Sequence, residues 1–367
     1  MKTVLYPFIA ATLSAHTRTV HASVSGIPTN DEAPTTSGFT NATKHISRGE
    51  SSLCTSGIAH VAANTNENVR FDYKLPATQA EATQTWLKMW AAGSTFPDSI
   101  SNGTLHVNGT YEIGATLCMP SNGSTSKLQV LTHGIGFDRY YWDFAPGWSY
   151  VDVAVEAGYS TFLYDRLGVG VSSKEDPIHT IHTLTKGLIA THPADLDAAI
   201  LTGFSTNASG IPAFNLGQNP TIASLDQPYR FSSLNNGYFV VASPLANQQT
   251  FFTYPNFLPT ILSLADATKG TVTIGELFTA SAVVKPALNV TFPVAVVAGN
   301  EDLGFCAGNC IFPENLLEEV GTTLYENVPE GRFETLRVKG AGHGLNLHFE
   351  ARGAFDWILG FLGRNGV

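Results

Sequence analysis

The sequence is poor in charge. Of its 367 residues only 14% are Asp, Glu, Lys or Arg, against roughly a quarter in an ordinary soluble domain. Basic residues are the scarcer kind: 20 Lys and Arg face 30 Asp and Glu, a formal net charge of −10. That shortage argues against a nucleic-acid partner, because phosphate contacts need clustered Lys and Arg. Cysteine is sparse as well, at four, and no C-x-x-C occurs, so a zinc ribbon or a thioredoxin-type redox site has no basis. No apolar run reaches the roughly 20 residues of a membrane span. No internal repeat is visible. Apolar residues, in contrast, make up 43% of the chain, ample for a large buried core and far from a disordered composition.

The chain opens with the features of an export signal. Lys2 supplies a positive start, residues 3–15 (TVLYPFIAATLSA) form a short apolar run, and Val20-His21-Ala22 offers small residues for a peptidase. Residues 1–22 therefore read as a signal peptide, and the protein as secreted. Cleavage after Ala22 would remove Lys2 and Arg18 and leave 345 residues at −12. Asn-x-Ser/Thr sequons at Asn41, Asn102, Asn108, Asn122, Asn207 and Asn289 agree with a glycoprotein. Cys54, Cys118, Cys306 and Cys310 suggest two disulfides, with three connectivities open. Cys306 and Cys310 bracket a short Ala-Gly-Asn loop that they could close, and Cys54 would then pair with Cys118.

Beyond the leader, residues 23–70 are rich in Ser, Thr, Asn and Gly and read as a loop-rich arm. Residues 78–92, 148–157 and 348–362 have helical patterning. Strand-like runs lie at 103–107, 110–118, 128–132, 159–165, 196–202, 292–298 and 333–338. Short apolar strands alternating with helices predict an α/β fold, a mostly parallel sheet with helices on both faces. Residues 205–286 interrupt the alternation with a cluster of aromatics, among them Phe214, Tyr238, Phe239, Phe251 and Phe252. They read as the packed core of an inserted subdomain, and also suit a lid whose aromatic underside shapes an apolar pocket; the two are compatible.

Three segments carry chemistry. Leu131-Thr-His133-Gly134-Ile135-Gly136 follows a strand, and its glycine-flanked backbone N–H groups are free to hold a developing oxyanion. Asp302 lies just past the strand 292–298, where α/β enzymes place reactive groups. His343, between glycines, follows the last strand. An acid and then a histidine, 41 residues apart and each after its own strand, fit the order of the α/β-hydrolase triad.

From about Tyr111 to Leu362 the chain resembles the α/β-hydrolase superfamily, and in particular secreted fungal hydrolases with a lid. Tyr164-Asp-Arg-Leu-Gly168-Val-Gly170-Val-Ser172-Ser173 resembles that family's loop after its fourth strand. The resemblance implies His343 as general base, Asp302 as its orienting acid, and Gly134, Ile135 and Gly136 as the oxyanion loop. It implies a hydrolase core over 71–204 and 287–367 with a lid at 205–286, acting on carboxylic esters or related acyl bonds of small apolar molecules. It implies neither metal nor cofactor. It says nothing of oligomeric state.

The family's nucleophile is missing. The sequence contains no G-x-S-x-G and no G-x-D-x-G. Only 29 residues run from Arg166 to Ala194, where a helix, a strand, an elbow and a second helix would need nearly ~50. The expectation is a sheet without its central fifth strand. Ser205, in Gly-Phe-Ser-Thr-Asn, is a weak substitute lacking the second glycine. Cys306 has elbow-like spacing but stands on the acid's own loop, where a disulfide is the plainer role. Two readings follow: an ester hydrolase by ancestry, or a catalytically inactive secreted pseudohydrolase or truncated gene product.

Overall fold

The computed structural model describes residues 10–16 (backbone), 34–120, 126–180, 193–280 and 286–367. Among the described residues nine strands form the main sheet: β1 (Ala10–His16), β2 (Thr40–Ile46), β3 (Leu53–Phe71), β4 (Ser101–Met119), β5 (Lys127–Thr132), β6 (Ser160–Tyr164), β7 (Ala198–Thr202), β8 (Val294–Gly299) and β9 (Phe333–Val338). Their spatial order is β9-β8-β7-β1-β5-β6-β4-β3-β2.

The sheet is mixed, and most neighbouring pairs are antiparallel, which corrects the expectation of a mostly parallel sheet. Only β9 with β8, β8 with β7, and β5 with β6 run parallel. Two causes account for the difference. First, β2, β3 and β4 form a long antiparallel meander, with Cys54 opposite Cys118 in the β3–β4 ladder. Second, β1 lies antiparallel to both β5 and β7. Each of those strands opposes β1, so they point the same way as each other. The five strands β5 to β9 are thus one parallel block with a single reversed strand inside it.

β7 and β8 are buried along their whole lengths, which explains why they read as unbroken apolar runs (Ala-Ala-Ile-Leu-Thr and Val-Ala-Val-Val-Ala-Gly). No strand is described between β6 and β7, and residues 181–192 of that interval lie outside the described residues, as does His182. The loop-rich reading of residues 23–70 also changes, since Thr40–Ile46 and Leu53–Phe71 are strands. Most of β2 and the middle of β3 is exposed or half-buried, although Thr55 and Asn68 are buried, so no hydrophobic alternation marks them.

Helices Tyr150–Glu156 and Ala351–Arg364 pack against each other through Tyr150 and Phe355, whose ring centroids are 5.2 Å apart. The described part of residues 205–286 is mainly helical, with a small sheet made of Thr221–Ile222, Tyr238–Val240 and Val272–Thr273. Two disulfides join Cys54 to Cys118 and Cys306 to Cys310. Among the described residues no helix is long and apolar enough to cross a membrane.

Candidate active site

The site gathers at the carboxyl ends of β5, β7, β8 and β9, the end of a parallel block where loops converge. Asp302 follows β8. Its carboxylate is fully buried and does two jobs: Oδ1 accepts the Phe305 N–H at 2.9 Å, capping the short helix Leu303–Cys306, and Oδ2 lies 2.8 Å from His343 Nδ1. The cap holds the carboxylate through its other oxygen, so the imidazole is oriented by a fixed partner.

His343 stands on the loop after β9, with its side chain 11% exposed. Phe305 stacks on the ring at 5.7 Å between centroids, and Phe214 meets it edge-on at 4.8 Å. Gly203, directly after β7, has φ +60°, and a Cβ there would stand 3.0 Å from His343 Cε1. Only glycine suits both the left-handed turn and the approach of the ring.

The loop bearing His343 is clamped by a second histidine. His348 is buried, its Nε2 accepts the N–H groups of Thr253 at 2.9 Å and Gly342 at 3.2 Å, and its Nδ1 lies 3.0 Å from the Gly344 carbonyl. Those contacts define a neutral imidazole that donates from Nδ1. Burial pushes its pKa down to about 4. Gly344 N–H in turn donates to Phe251 O at 2.8 Å, tying the loop to the helix Pro244–Phe251.

Opposite His343, the chain leaves β5 through His133-Gly134-Ile135-Gly136. Gly136 has φ +80°, the conformation its lack of a side chain permits. His133 is buried and bridges the turn: Nδ1 lies 2.8 Å from Gly134 O, and Nε2 accepts the Arg166 N–H at 3.1 Å. The Arg166 guanidinium reaches Gly134 O at 3.4 Å and makes a buried ion pair with Glu276. Glu276 also closes a capping box with Thr273 on the helix Ile274–Thr279. One arginine therefore links the 134–136 loop to the helix Ile274–Thr279. On the same loop Asp138 accepts the Tyr140 N–H at 2.9 Å, and its pKa is pushed up to about 6, first by burial and then by the neighbouring Asp165 carboxylate.

Between the two halves lies a small cavity lined by Gly134, Ile135, Phe137, Tyr141, Thr202, Phe251, His343 and Gly344. The structure thus brings His343, Asp302 and the 134–136 loop together. Ser205 is not part of this cavity. It is buried, donates its hydroxyl hydrogen to Phe305 O, and accepts the Asn207 N–H at 3.0 Å. Ser172 is also structural, accepting from Gly114 N at 2.9 Å and donating to Asp165 O at 2.7 Å. His179 lies 3.0 Å from Asp176, and no group of three metal-ligating side chains occurs among the described residues. Of the sequon asparagines, Asn41, Asn102, Asn108 and Asn289 are exposed, Asn207 is half-buried in a turn, and Asn122 lies outside the described residues.

Sequence reasoning missed Thr202 and Gly203 as parts of the site, and the clamping role of His348. Gly203 had a visible signal, a glycine ending an apolar strand. For His348 the only signal was its place five residues after His343.

The chain matches no protein-family model and no curated protein sequence. Among solved structures it is similar to a bromoperoxidase from Bacillus anthracis, at 17% identity and a TM-score of 0.44 over 70% of this chain and 96% of that one. A thermophilic esterase from Thermogutta terrifontis is similar at 12% identity and a TM-score of 0.42, over 71% of this chain and 96% of that one. The Cif epoxide hydrolase from Acinetobacter nosocomialis is similar at 13% identity and a TM-score of 0.43, over 79% of this chain and 99% of that one. These neighbours are α/β-hydrolases.

Proposed function

We propose that this chain carries an acyl-hydrolase site, acting on carboxylic esters or related acyl bonds of small apolar molecules. The observation that carries the reading is the 2.8 Å contact between His343 Nδ1 and Asp302 Oδ2, with the imidazole lining the same cavity as Gly134 and Ile135. Asp302 holds the proton on Nδ1, which leaves Nε2 as the basic nitrogen. Such a base takes a proton from an attacking hydroxyl or water, and backbone N–H groups of the 134–136 loop stabilise the oxyanion that develops. Phe137 and Phe251 line the cavity and favour an apolar acyl or aryl group. In this reading residues 71–204 and 287–367 are the core and residues 205–286 are a lid. The two disulfides and four exposed sequons support an oxidising, extracellular location.

A second reading is favoured by one observation. Ser205 spends its hydroxyl on Phe305 O, and no G-x-S-x-G replaces it. On that reading the chain is a pseudohydrolase, or the product of a truncated gene, that keeps the base without a nucleophile.

Labelling with a fluorophosphonate probe, followed by peptide mapping, separates the two, alongside hydrolysis of short, long and aromatic esters. Ester turnover that disappears in His343→Ala supports the hydrolase. A folded chain that neither labels nor turns over any ester removes it and leaves the pseudohydrolase.

A further inference from the structure

The strand β1 belongs to the segment with export-signal features, yet it lies at the centre of the sheet. Its backbone pairs on both sides. Thr12–His16 run against Leu131–Lys127 of β5, and Ala10–Ser14 run against Thr202–Ala198 of β7. β7 is buried throughout, and Leu131 and Thr132 of β5 are buried too. Without β1, the facing N–H and C=O groups of β5 and β7 would lie unpaired in the interior, where backbone polar groups are almost always satisfied.

The space has a definite size and direction. Two ladder spacings of 4.7–4.9 Å put β5 and β7 about 9.5 Å apart. That is too far for them to pair with each other and too narrow for a helix with its side chains. β5 and β7 point the same way, and the strand that fills the slot runs antiparallel to both. The site's cavity adjoins the same slot, since Thr202 ends β7 and Gly134 follows β5.

We propose that residues 10–16 remain in the folded protein as its central strand, so that the segment resembling a leader is kept and not discarded after Ala22. The slot between β5 and β7 is then a docking site for this chain's own extended N-terminal segment, held by backbone pairing on both edges. This inference does not depend on what chemistry the cavity performs.

The test uses the full chain with a specific protease site inserted after Ala22 and cut after purification. The N-terminal fragment is expected to co-elute with the rest on gel filtration and to separate only in denaturant. Amides of Lys127–Thr132 and Ala198–Thr202 are expected to exchange slowly with deuterium. Thr12→Pro, which cannot pair centrally, is expected to speed that exchange at least tenfold, whereas Thr12→Val leaves it unchanged. If Thr12→Pro fails to fold, the nicked chain still decides. The proposal is overturned if the fragment separates freely with no change in melting temperature or exchange. It is also overturned if the folded, exported chain has a mass lacking residues 1–22. A transcript with an extra in-frame strand between the codons for His179 and His192 would overturn it too, because that strand would take the slot.

Discussion

His343 Nδ1 lies 2.8 Å from Asp302 Oδ2 although 41 residues separate them, because parallel neighbours β8 and β9 end side by side. Asp302→Asn keeps an oxygen to cap Phe305 N–H but no longer holds the imidazole in one tautomer. Ester hydrolysis should fall about 10³–10⁴-fold, with a much smaller effect on melting temperature. Equal loss of turnover and fold would assign Asp302 to the cap alone.

Ser205→Ala should leave any esterase activity within about twofold of the parent. Its hydroxyl is committed to Phe305 O, so the cost should appear in stability, at about 1 kcal/mol. Fluorophosphonate labelling of Ser205 would contradict this directly.

Arg166 and Glu276 should behave as a pair. Glu276→Gln removes one partner of a buried ion pair and is expected to destabilise the chain by about 3–5 kcal/mol. An Arg166→Met/Glu276→Leu double variant should lose less than the sum of its singles, read from denaturant midpoints in a double-mutant cycle. Strict additivity would mean that the Arg166–Glu276 contact carries no energy.

His348 sets a pH dependence whose sign follows from its burial. Folded, its pKa is about 4, whereas in the unfolded chain it keeps its ordinary value of 6.5. As pH falls, the unfolded chain takes the proton first. The contribution is intact above about pH 6.5 and is lost on the way down to about 4, at most about 3 kcal/mol. Asp138 works the other way, since its raised pKa makes ionisation costly and favours folding as pH falls below about 6. The useful quantity is therefore the stability difference between the parent and His348→Gln at pH 7 and pH 4. The parent's advantage should shrink at the lower pH, and a constant difference would refute the neutral clamp.

The two disulfides should be unequal. Cys54 and Cys118 are 64 positions apart and Cys306 and Cys310 only 4. Loop-closure entropy gives about 4 kcal/mol for the long loop and about 2 for the short one. Replacing each pair by alanine and comparing melting midpoints checks the order.

Much of this was legible in the sequence where burial is two-sided or glycine is required. The apolar runs at 196–202 and 292–298 reappear as β7 and β8, because fully buried strands leave unbroken apolar sequence, and the runs at 128–132 and 333–338 reappear as the partly buried β5 and β9. His343, Asp302 and Gly134–Gly136 were visible because chemistry restricts both residue type and position. β4 was read as the runs 103–107 and 110–118, whereas β2 and β3 were hidden because largely exposed strands need no alternation. The place of Ala10–His16 was hidden for another reason: an apolar run of that length suits an export signal and a central strand equally well. Strand direction, which separates the observed mixed sheet from the expected parallel one, leaves no mark in composition.

β4 contacts β6 only through Ala115–Cys118, so the stretch before it pairs with β3 alone. Over most of that stretch the two strands stand clear of the sheet as a thin exposed arm, with both outer ladders open to solvent. Open ladders recruit further strands and drive chains to stick edge to edge. Asn102 and Asn108 both lie on this arm and both are exposed. A bulky sugar at either position would act as a fender, keeping one molecule's arm from zipping onto another's. Chain produced without glycans should therefore self-associate more readily than chain that carries them, with no difference in how each molecule is folded.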